Sequence, residues 1–246
     1  MKNQTFGIEI ETTGIGRERT AKAIAAYFGT TAQYRGRHLD DWRVPMPDGR
    51  HWTVESDGSV TDPDAEVVSP VCRYEDIKMV QEVVRAIRAA GAKADGSCGI
   101  HIHIGLGEHT PQSLRRLVNI VNAKEDLLTM ALGITPERRS QWCAPVNQVF
   151  LTELNRRKPT TMENFARIWY ARSGGSSSDW RRCAAQHYDH SRYHLLNLHA
   201  TFSTDNPKYT FRCWLLRLGF IGDEFSTARE HLLKKLPGNA AWRQAS

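Results

Sequence analysis

Hydrophobic and polar residues alternate strictly in two short segments of the chain, residues 5–12 and residues 100–106. Alternation with a period of two is typical of a β-strand that buries one face. Turn residues bound several other segments that are rich in β-branched, aromatic or aliphatic side chains, and these predict further strands. They are residues 39–44, 51–55, 65–69, 195–203 and 208–214.

Helical spacing of the apolar positions indicates a second group of elements. The predicted helices are residues 19–28, 75–90, 112–132 and 224–236, and residues 133–179 are expected to be mostly helical. Strands and helices are mixed without the regular βαβ alternation of a parallel sheet, so we predict an α+β fold. It would have a largely antiparallel, curved sheet with helices packed on one face. We expect a single domain, with a helical insert at about 133–179 and a C-terminal tail at about 215–246.

Composition places the chain among ordinary globular proteins. It has 246 residues, of which 40% are hydrophobic and 24% are charged, and this excludes a largely disordered protein. The formal net charge of +6 indicates an anionic partner such as a phosphate, a nucleotide or an acidic metabolite. Nucleic acid is the weaker candidate partner, because this charge is low for a dedicated nucleic-acid-binding protein.

Cysteine usage and hydropathy indicate where the protein works. The five cysteines form no CxxC pair and are odd in number, so a reducing compartment is favoured over a disulfide framework or a zinc ribbon. They also lack a paired base, so a cysteine nucleophile is not supported. No apolar run approaches the roughly 18 residues of a membrane span, and the first residues lack the apolar core of a signal peptide. We therefore expect a cytoplasmic protein without membrane contact.

Two carboxylates, Glu9 and Glu11, lie two positions apart in the first alternating segment. A strand places both on the same face, where they repel each other unless a cation lies between them. A divalent metal ion would serve that purpose. The alternative is a solvent-exposed polar face, which is what ordinary antiparallel strands show.

Two further carboxylates follow in the segment that runs from Trp52 to Pro70. Asp57 precedes Gly58, a pair that is typical of a turn, so Asp57 is either a turn residue or a metal ligand. Glu66 opens an apolar strand, where a carboxylate either faces solvent or has a partner. Both offer the oxygen ligands that hard cations prefer.

Two histidines, His101 and His103, share one face of the second alternating segment. Imidazoles at this spacing can contact one metal ion or one phosphate. The alternative is a pair of half-buried histidines that form hydrogen bonds with their neighbours. The segment lacks the paired Cys and His pattern of an ordinary structural zinc site, so we do not predict one here.

A fourth group of polar residues lies towards the C-terminus. The predicted strands place Asn197 on one polar face and Arg212 on the next strand, with Arg192 shortly before them. An arginine on such a face can bind a phosphate or a substrate carboxylate, although an exposed strand arginine is the simpler interpretation. Four histidines between residues 187 and 199 lack a common ligand geometry, and we interpret them as surface residues.

These four groups, in this order, resemble the amidoligase family, a branch of the glutamine synthetase and glutamate–cysteine ligase superfamily. The matching motifs span residues 5 to about 214. They are Phe6–Glu11, Asp57–Ser59 with Glu66–Pro70, Cys98–Ile104, and Arg192–Tyr193 through Asn197–His199 to Phe211–Arg212.

The resemblance implies a catalytic domain like that of glutamine synthetase, whose concave sheet face binds ATP and Mg²⁺ or Mn²⁺. It implies transfer of the γ-phosphoryl group to a carboxylate, followed by attack of an amine, with small molecules or peptides as substrates. The residues that would act as metal ligands are Glu9, Glu11, Glu66 and His101. Catalytic roles would fall to Asp57 and Arg212, and nucleotide contacts to His103, Arg192 and Asn197.

The chain departs from the family pattern near its C-terminal end. Thr210 stands where such enzymes usually carry an acidic residue, and residues 213–222 lack the expected Asn-Gly-Thr run. Two alternatives to the ligase therefore stay open: a metal-dependent hydrolase that does not use ATP, and a noncatalytic binding protein that retains the fold.

Overall fold

The computed structural model of the protein describes residues 3–36, 39–170 and 204–242. It combines helices with an antiparallel sheet, which confirms the mixed class and the direction of strand pairing. The chain divides into two compact units, residues 1–108 and residues 109–246. The single-domain organisation and the likeness to the glutamine synthetase domain stay predictions.

The first unit is built on an open sheet of six strands. They are β1 (Phe6–Thr12), β2 (Gln33–Tyr34), β3 (Trp42–Pro45), β4 (His51–Glu55), β5 (Ala65–Val68) and β6 (Ile100–Ile104). The spatial order is β2-β3-β4-β5-β1-β6, and every neighbouring pair is antiparallel. The strand predicted at residues 195–203 lies outside the described residues.

Two helices cover one face of this sheet. They are α1 (Arg17–Phe28) and α2 (Ile77–Ala89), the latter preceded by a 3₁₀ turn at Tyr74–Asp76. Their apolar faces join the inward side chains of β1, β3, β4 and β5 in one buried cluster, and this apolar burial is what holds the layers together. The cluster includes Ile10, Ile24, Val44, Trp52, Val54, Val67, Val83 and Ile87. The opposite face of the sheet is thereby left for polar side chains.

The edge strand β6 has the predicted alternation but not the expected burial. Its isoleucine face remains open, with Ile100 and Ile102 each 63% exposed and Ile104 48% exposed. Its histidine face is only partly accessible. In β6 the histidine face, rather than the isoleucine face, is therefore the more enclosed one.

The second unit is helical in its described residues. Its helices are α3 (Pro111–Leu132), α4 (Pro136–Gln141), α5 (Gln148–Arg157), α6 (Met162–Tyr170), α7 (Pro207–Arg217) and α8 (Ser226–Lys234). One buried cluster joins α3, α5 and α6, and another joins α3, α7 and α8. No helix among the described residues is both long enough and apolar enough to span a membrane.

The prediction of a strand at residues 208–214 is wrong, because this segment belongs to helix α7. Asn206 caps the helix, because its side chain accepts a hydrogen bond from the backbone N–H of Tyr209, and Pro207 occupies the first helical position. Phe211 and Leu215, four residues apart, are both buried on the same side. The Asn-Pro pair that we interpreted as a turn between strands is therefore a helix start.

We expect Asn206→Ala to lower the free energy of unfolding by about 1–2 kcal/mol. Asn206 is 1% exposed, and besides capping α7 it donates a hydrogen bond to the carbonyl of Trp242 at 2.7 Å. Chemical denaturation measures the loss. Asn206→Asp keeps the capping acceptor but not the donor, and its stability should fall between those of the wild type and the alanine variant. Equal stability of all three proteins would contradict this role of Asn206.

Candidate metal centre

The polar face of the sheet is assembled from three adjacent strands. In the register of β1 with β5, Glu11 lies opposite Glu66, and in the register of β1 with β6, Glu9 lies opposite His101. Residues directly opposite each other in an antiparallel pair project to the same side. The side chains of β1, β5 and β6 that sequence alternation assigned to one face therefore meet across three strands.

Glu9 lies between the two histidines of β6. Its Oε2 is 2.8 Å from Nδ1 of His101, and its Oε1 is 3.1 Å from Nε2 of His103. The His103 nitrogen is buried, yet it has no hydrogen bond of normal geometry with any described residue. Glu9 thus contacts both histidines, through a hydrogen bond with His101 and at ion-pair distance from His103.

Glu11 is fixed from the neighbouring loop and lies deeper. It is 6% exposed, and its Oε2 accepts a hydrogen bond from the backbone N–H of Gly99 at 2.6 Å. Its Oε1 is 3.6 Å from Nε2 of His101. A backbone donor at the start of β6 therefore orients one oxygen of Glu11 and leaves the other beside His101.

Asp57 acts as a turn residue and also lies close to the carboxylates of Glu11 and Glu66. It accepts a hydrogen bond from the backbone N–H of Ser59 at 2.8 Å, as expected of an aspartate before glycine. One of its oxygens also lies within 4.8 Å of oxygens of Glu11 and Glu66. The two interpretations of Asp57 are therefore compatible in this structure.

Two groups of potential ligands arise on this face, and they share Glu66. The mixed group is Glu9, Glu66 and His101, and the carboxylate group is Glu11, Asp57 and Glu66. In each group the three ligand atoms lie within 4.8 Å of one another. The convergence that the metal hypothesis requires is therefore present for Glu9, Glu11, Asp57, Glu66 and His101, although their role as ligands stays a prediction.

The electrostatics of the cluster show that its negative charge is only partly balanced. Burial and then the charges of Glu9, Asp57, Glu55 and Glu11 raise the pKa of Glu66 to about 7. The hydrogen bond from His101 lowers the pKa of Glu9 to about 2, against the effect of burial.

The pKa of His101 is shifted in the opposite direction to that of its partner Glu9. The hydrogen bond with Glu9, and then the nearby charges of Glu11, Glu9 and Glu66, raise its pKa, which burial partly offsets. The carboxylates therefore favour the protonated, cationic form of His101.

The donor atoms fit a hard divalent cation. The carboxylate group offers oxygen ligands only, which is the preference of Mg²⁺, whereas the mixed group adds an imidazole nitrogen that Mn²⁺ accepts readily. Burial and, after it, repulsion between the carboxylates raise the pKa of Glu66, and a cation would relieve this repulsion. The residues present therefore fit the metal ions that the family resemblance implies.

The remaining candidates belong to the second unit or lie outside the described residues. Arg212 lies on helix α7 in the second unit, so its predicted position on a strand face is wrong and its convergence with the carboxylates stays a prediction. Arg192 and Asn197 lie outside the described residues. Thr210 is also on α7, and its hydroxyl is 3.0 Å from that of Thr204.

Asp64 is a residue that sequence reasoning missed. It is 6% exposed and accepts a hydrogen bond from the backbone N–H of Asp57 at 2.9 Å. The available signal was its position directly before the apolar strand β5, where a carboxylate needs a partner, as Glu66 does two residues later.

Charge is distributed unevenly along the chain. Residues 1–108 contain 13 Lys and Arg against 16 Asp and Glu, a net charge of −3, whereas residues 109–246 contain 20 against 11, a net charge of +9. The excess positive charge of the protein therefore lies outside the unit that carries the carboxylate cluster.

Comparison with known proteins agrees with the resemblance seen in the motifs. A family model described as "Putative amidoligase enzyme" matches residues 2–212, which is most of the 246-residue chain. No curated protein and no solved structure matches the chain. The match includes all the candidate residues from Glu9 to Arg212, and the chain therefore belongs to this family of ligase-type amidoligase enzymes.

Proposed function

We propose that the protein is an ATP- and Mg²⁺-dependent carboxylate–amine ligase that forms an amide or peptide bond through an acyl phosphate. Membership of the amidoligase family supports the ligase class. The observation that carries the proposal is the pair of ligand groups that share Glu66 on one sheet face. Two cation sites so close together suit a reaction in which negative charge is transferred between phosphate and carboxylate oxygens.

The residues of this sheet face would act as metal ligands or nucleotide contacts, according to their chemistry. Glu9, Glu66 and His101 would hold one cation, and Glu11, Asp57 and Glu66 the other. Bound Mg²⁺ would neutralise the charge that develops on the phosphoryl oxygens. His103, whose Nε2 lies 3.1 Å from Oε1 of Glu9, would supply the nucleotide contact that the family resemblance implies.

The reaction requires a site that excludes water and binds two anions. The substrate carboxylate would take the γ-phosphoryl group and release ADP, and the amine would then displace inorganic phosphate and lose a proton. Arg212, Arg192 and Asn197 remain the proposed contacts for phosphate, nucleotide or substrate carboxylate. Residues 109–246 carry a net charge of +9, which favours anion binding by this part of the chain.

The proposal is tested by ADP release in the presence of Mg²⁺, ATP and a panel of carboxylates and amines. The panel should contain amino acids, peptides and peptidoglycan fragments. Hydroxylamine, supplied in parallel as a general amine, would convert an acyl phosphate to a hydroxamate even if the natural amine is missing from the panel. Reactions with EDTA, or with a β,γ-methylene analogue of ATP, are the controls.

We expect ADP and hydroxamate to form in equal amounts and to require both the carboxylate and the metal. Metal-dependent cleavage of an amide in the absence of ATP would instead identify a hydrolase. Binding of ATP and Mn²⁺ without ADP or hydroxamate from any member of the panel would favour a noncatalytic binding protein. Either result would overturn the ligase proposal.

A further inference from the structure

Asp64 connects the carboxylate cluster to the N-terminal end of helix α1. One oxygen of its buried carboxylate, Oδ2, accepts the hydrogen bond from the backbone N–H of Asp57 at 2.9 Å. The other, Oδ1, forms an ion pair with the guanidinium of Arg17, the first residue of α1. Asp64 belongs to neither group of potential metal ligands in the described residues.

Three hydrogen bonds hold Asp57, one of them from the backbone N–H of Val60 to its backbone carbonyl at 3.1 Å. The carboxylate of Asp64 accepts a hydrogen bond from the backbone N–H of Asp57. The backbone N–H of Ser59 donates a hydrogen bond to one carboxylate oxygen of Asp57. The rest of the loop is fastened separately, because the backbone N–H and the side chain of Thr61 both contact the hydroxyl of Ser97. Asp64 thus supplies a side-chain anchor that acts on Asp57 itself.

Arg17 makes a buried negative charge at position 64 tolerable. A carboxylate that is 6% exposed and close to other acidic residues would be costly without a cation. Arg17 binds it through the side chain, lies 3.3 Å from the backbone carbonyl of Asp64 and also pairs with Asp40 at 2.8 Å. The Asp64 carboxylate is therefore held from two sides.

We propose that Asp64, held by Arg17, is a positioning residue that orients Asp57 and thereby sets the metal affinity of the carboxylate group. This inference rests on the proposed function in one respect: the group must bind a cation. Hydrogen bonds to metal ligands from residues behind them typically alter metal affinity by about 10- to 100-fold. The effect should be confined to the site that contains Asp57, because Asp64 holds Asp57, whereas Glu9 and His101 belong to the other ligand group.

The test is Mn²⁺ binding, measured by electron paramagnetic resonance in the absence of substrates, together with thermal unfolding of the metal-free proteins. Asp64→Ala should weaken one of two Mn²⁺ sites by about 10- to 100-fold and leave the other within about twofold. Asp64→Asn retains an acceptor for the N–H of Asp57 and should bind within about threefold of the wild type. Asp40→Asn is the matched control, because it removes the exposed partner of Arg17 without touching Asp57.

The outcomes separate this inference from the proposed function. Unchanged Mn²⁺ binding by Asp64→Ala, equal weakening of both sites, or loss of affinity in a folded Asp64→Asn protein would overturn the positioning role. If Asp64→Ala does not fold, the Asp64→Asn result alone decides. Absence of Mn²⁺ binding by the wild type would overturn the proposed function, and this inference with it.

Discussion

Glu66→Gln should weaken divalent-cation binding at both sites by more than about 100-fold and abolish ADP release. Glu66 is the shared member of the two ligand groups, so one substitution removes a charged ligand from each. Glutamine has nearly the same shape, which leaves the packing of β5 intact. Mn²⁺ titration measures the affinity, and the ligase assay measures the turnover.

The same substitution should make the metal-free protein more stable at pH 8, by about 1–2 kcal/mol. The folded-state pKa of Glu66 is raised from 4.5 to about 7, so the folded protein retains a proton that the unfolded chain has lost. Folding is then progressively penalised as pH rises from about 4.5 to 7, and the full penalty applies above that range. Glutamine cannot ionise and escapes the penalty. Loss of binding combined with a gain in stability is the expected signature.

Glu55→Gln is the matched control for this prediction. Glu55 lies directly opposite Glu66 in the register of β4 with β5 but belongs to neither ligand group. Its substitution should change Mn²⁺ affinity by less than about threefold. Equal losses in the two variants would mean that the total negative charge of the face, rather than Glu66 as a ligand, determines binding.

The candidate site could be predicted from sequence because it is made of short strands with strict alternation. Glu9 and Glu11, or His101 and His103, must share a face once their segments are strands, whatever the rest of the fold does. Which strands become neighbours is not encoded in alternation. The contact of Glu9 with His101 depends on β1 lying between β5 and β6, a pairing that sequence alone does not specify.

The error at residues 208–214 has a physical origin in the spacing of the apolar side chains. Phe211 and Leu215 fit a helix, but the segment also contains the β-favouring residues Tyr209, Thr210 and Phe211 in succession. Burial against Leu127 and Leu236 in the second unit resolves the ambiguity in favour of the helix. Packing overrode the local preference of these residues for a β-strand. The assignment of Arg212 to a strand face was therefore wrong as well.

The exposed isoleucines of β6 show a second limit of prediction from sequence, which concerns the burial of each strand face. Alternation correctly separated Ile100 and Ile102 from His101 and His103, but it could not say which face would be covered. Helix α1 contacts β3, β4 and β5, and the helix layer does not bury the isoleucines of β6. Polar contacts with Glu9 enclose the histidine face instead. Sequence periodicity thus predicted the faces but not their environments.

Glu125→Gln should stabilise the protein at pH 8 by about 2 kcal/mol and have almost no effect at pH 4.5. Glu125 is a helix residue of α3 with 4% exposure, and its Oε2 has no hydrogen-bond partner in the described part of the chain. Burial raises its pKa from 4.5 to about 7, although the charge of Arg139 opposes the shift. Because the folded state holds the proton more tightly than the unfolded chain, stability falls as pH rises between these two values.

Urea denaturation at pH 4.5, 6, 7 and 8 would trace this difference between the variant and the wild type, and other titrating groups cancel in the comparison. Asp126→Asn is the matched control, and it should change the stability in the opposite direction. Asp126 is adjacent in sequence, forms a 2.8 Å ion pair with Arg139, and its neutralisation should lower stability modestly at pH 8. If Glu125→Gln instead destabilised the protein at every pH, Glu125 would be an ionised partner of Arg139, and the buried charge would be supporting α3 rather than opposing its packing.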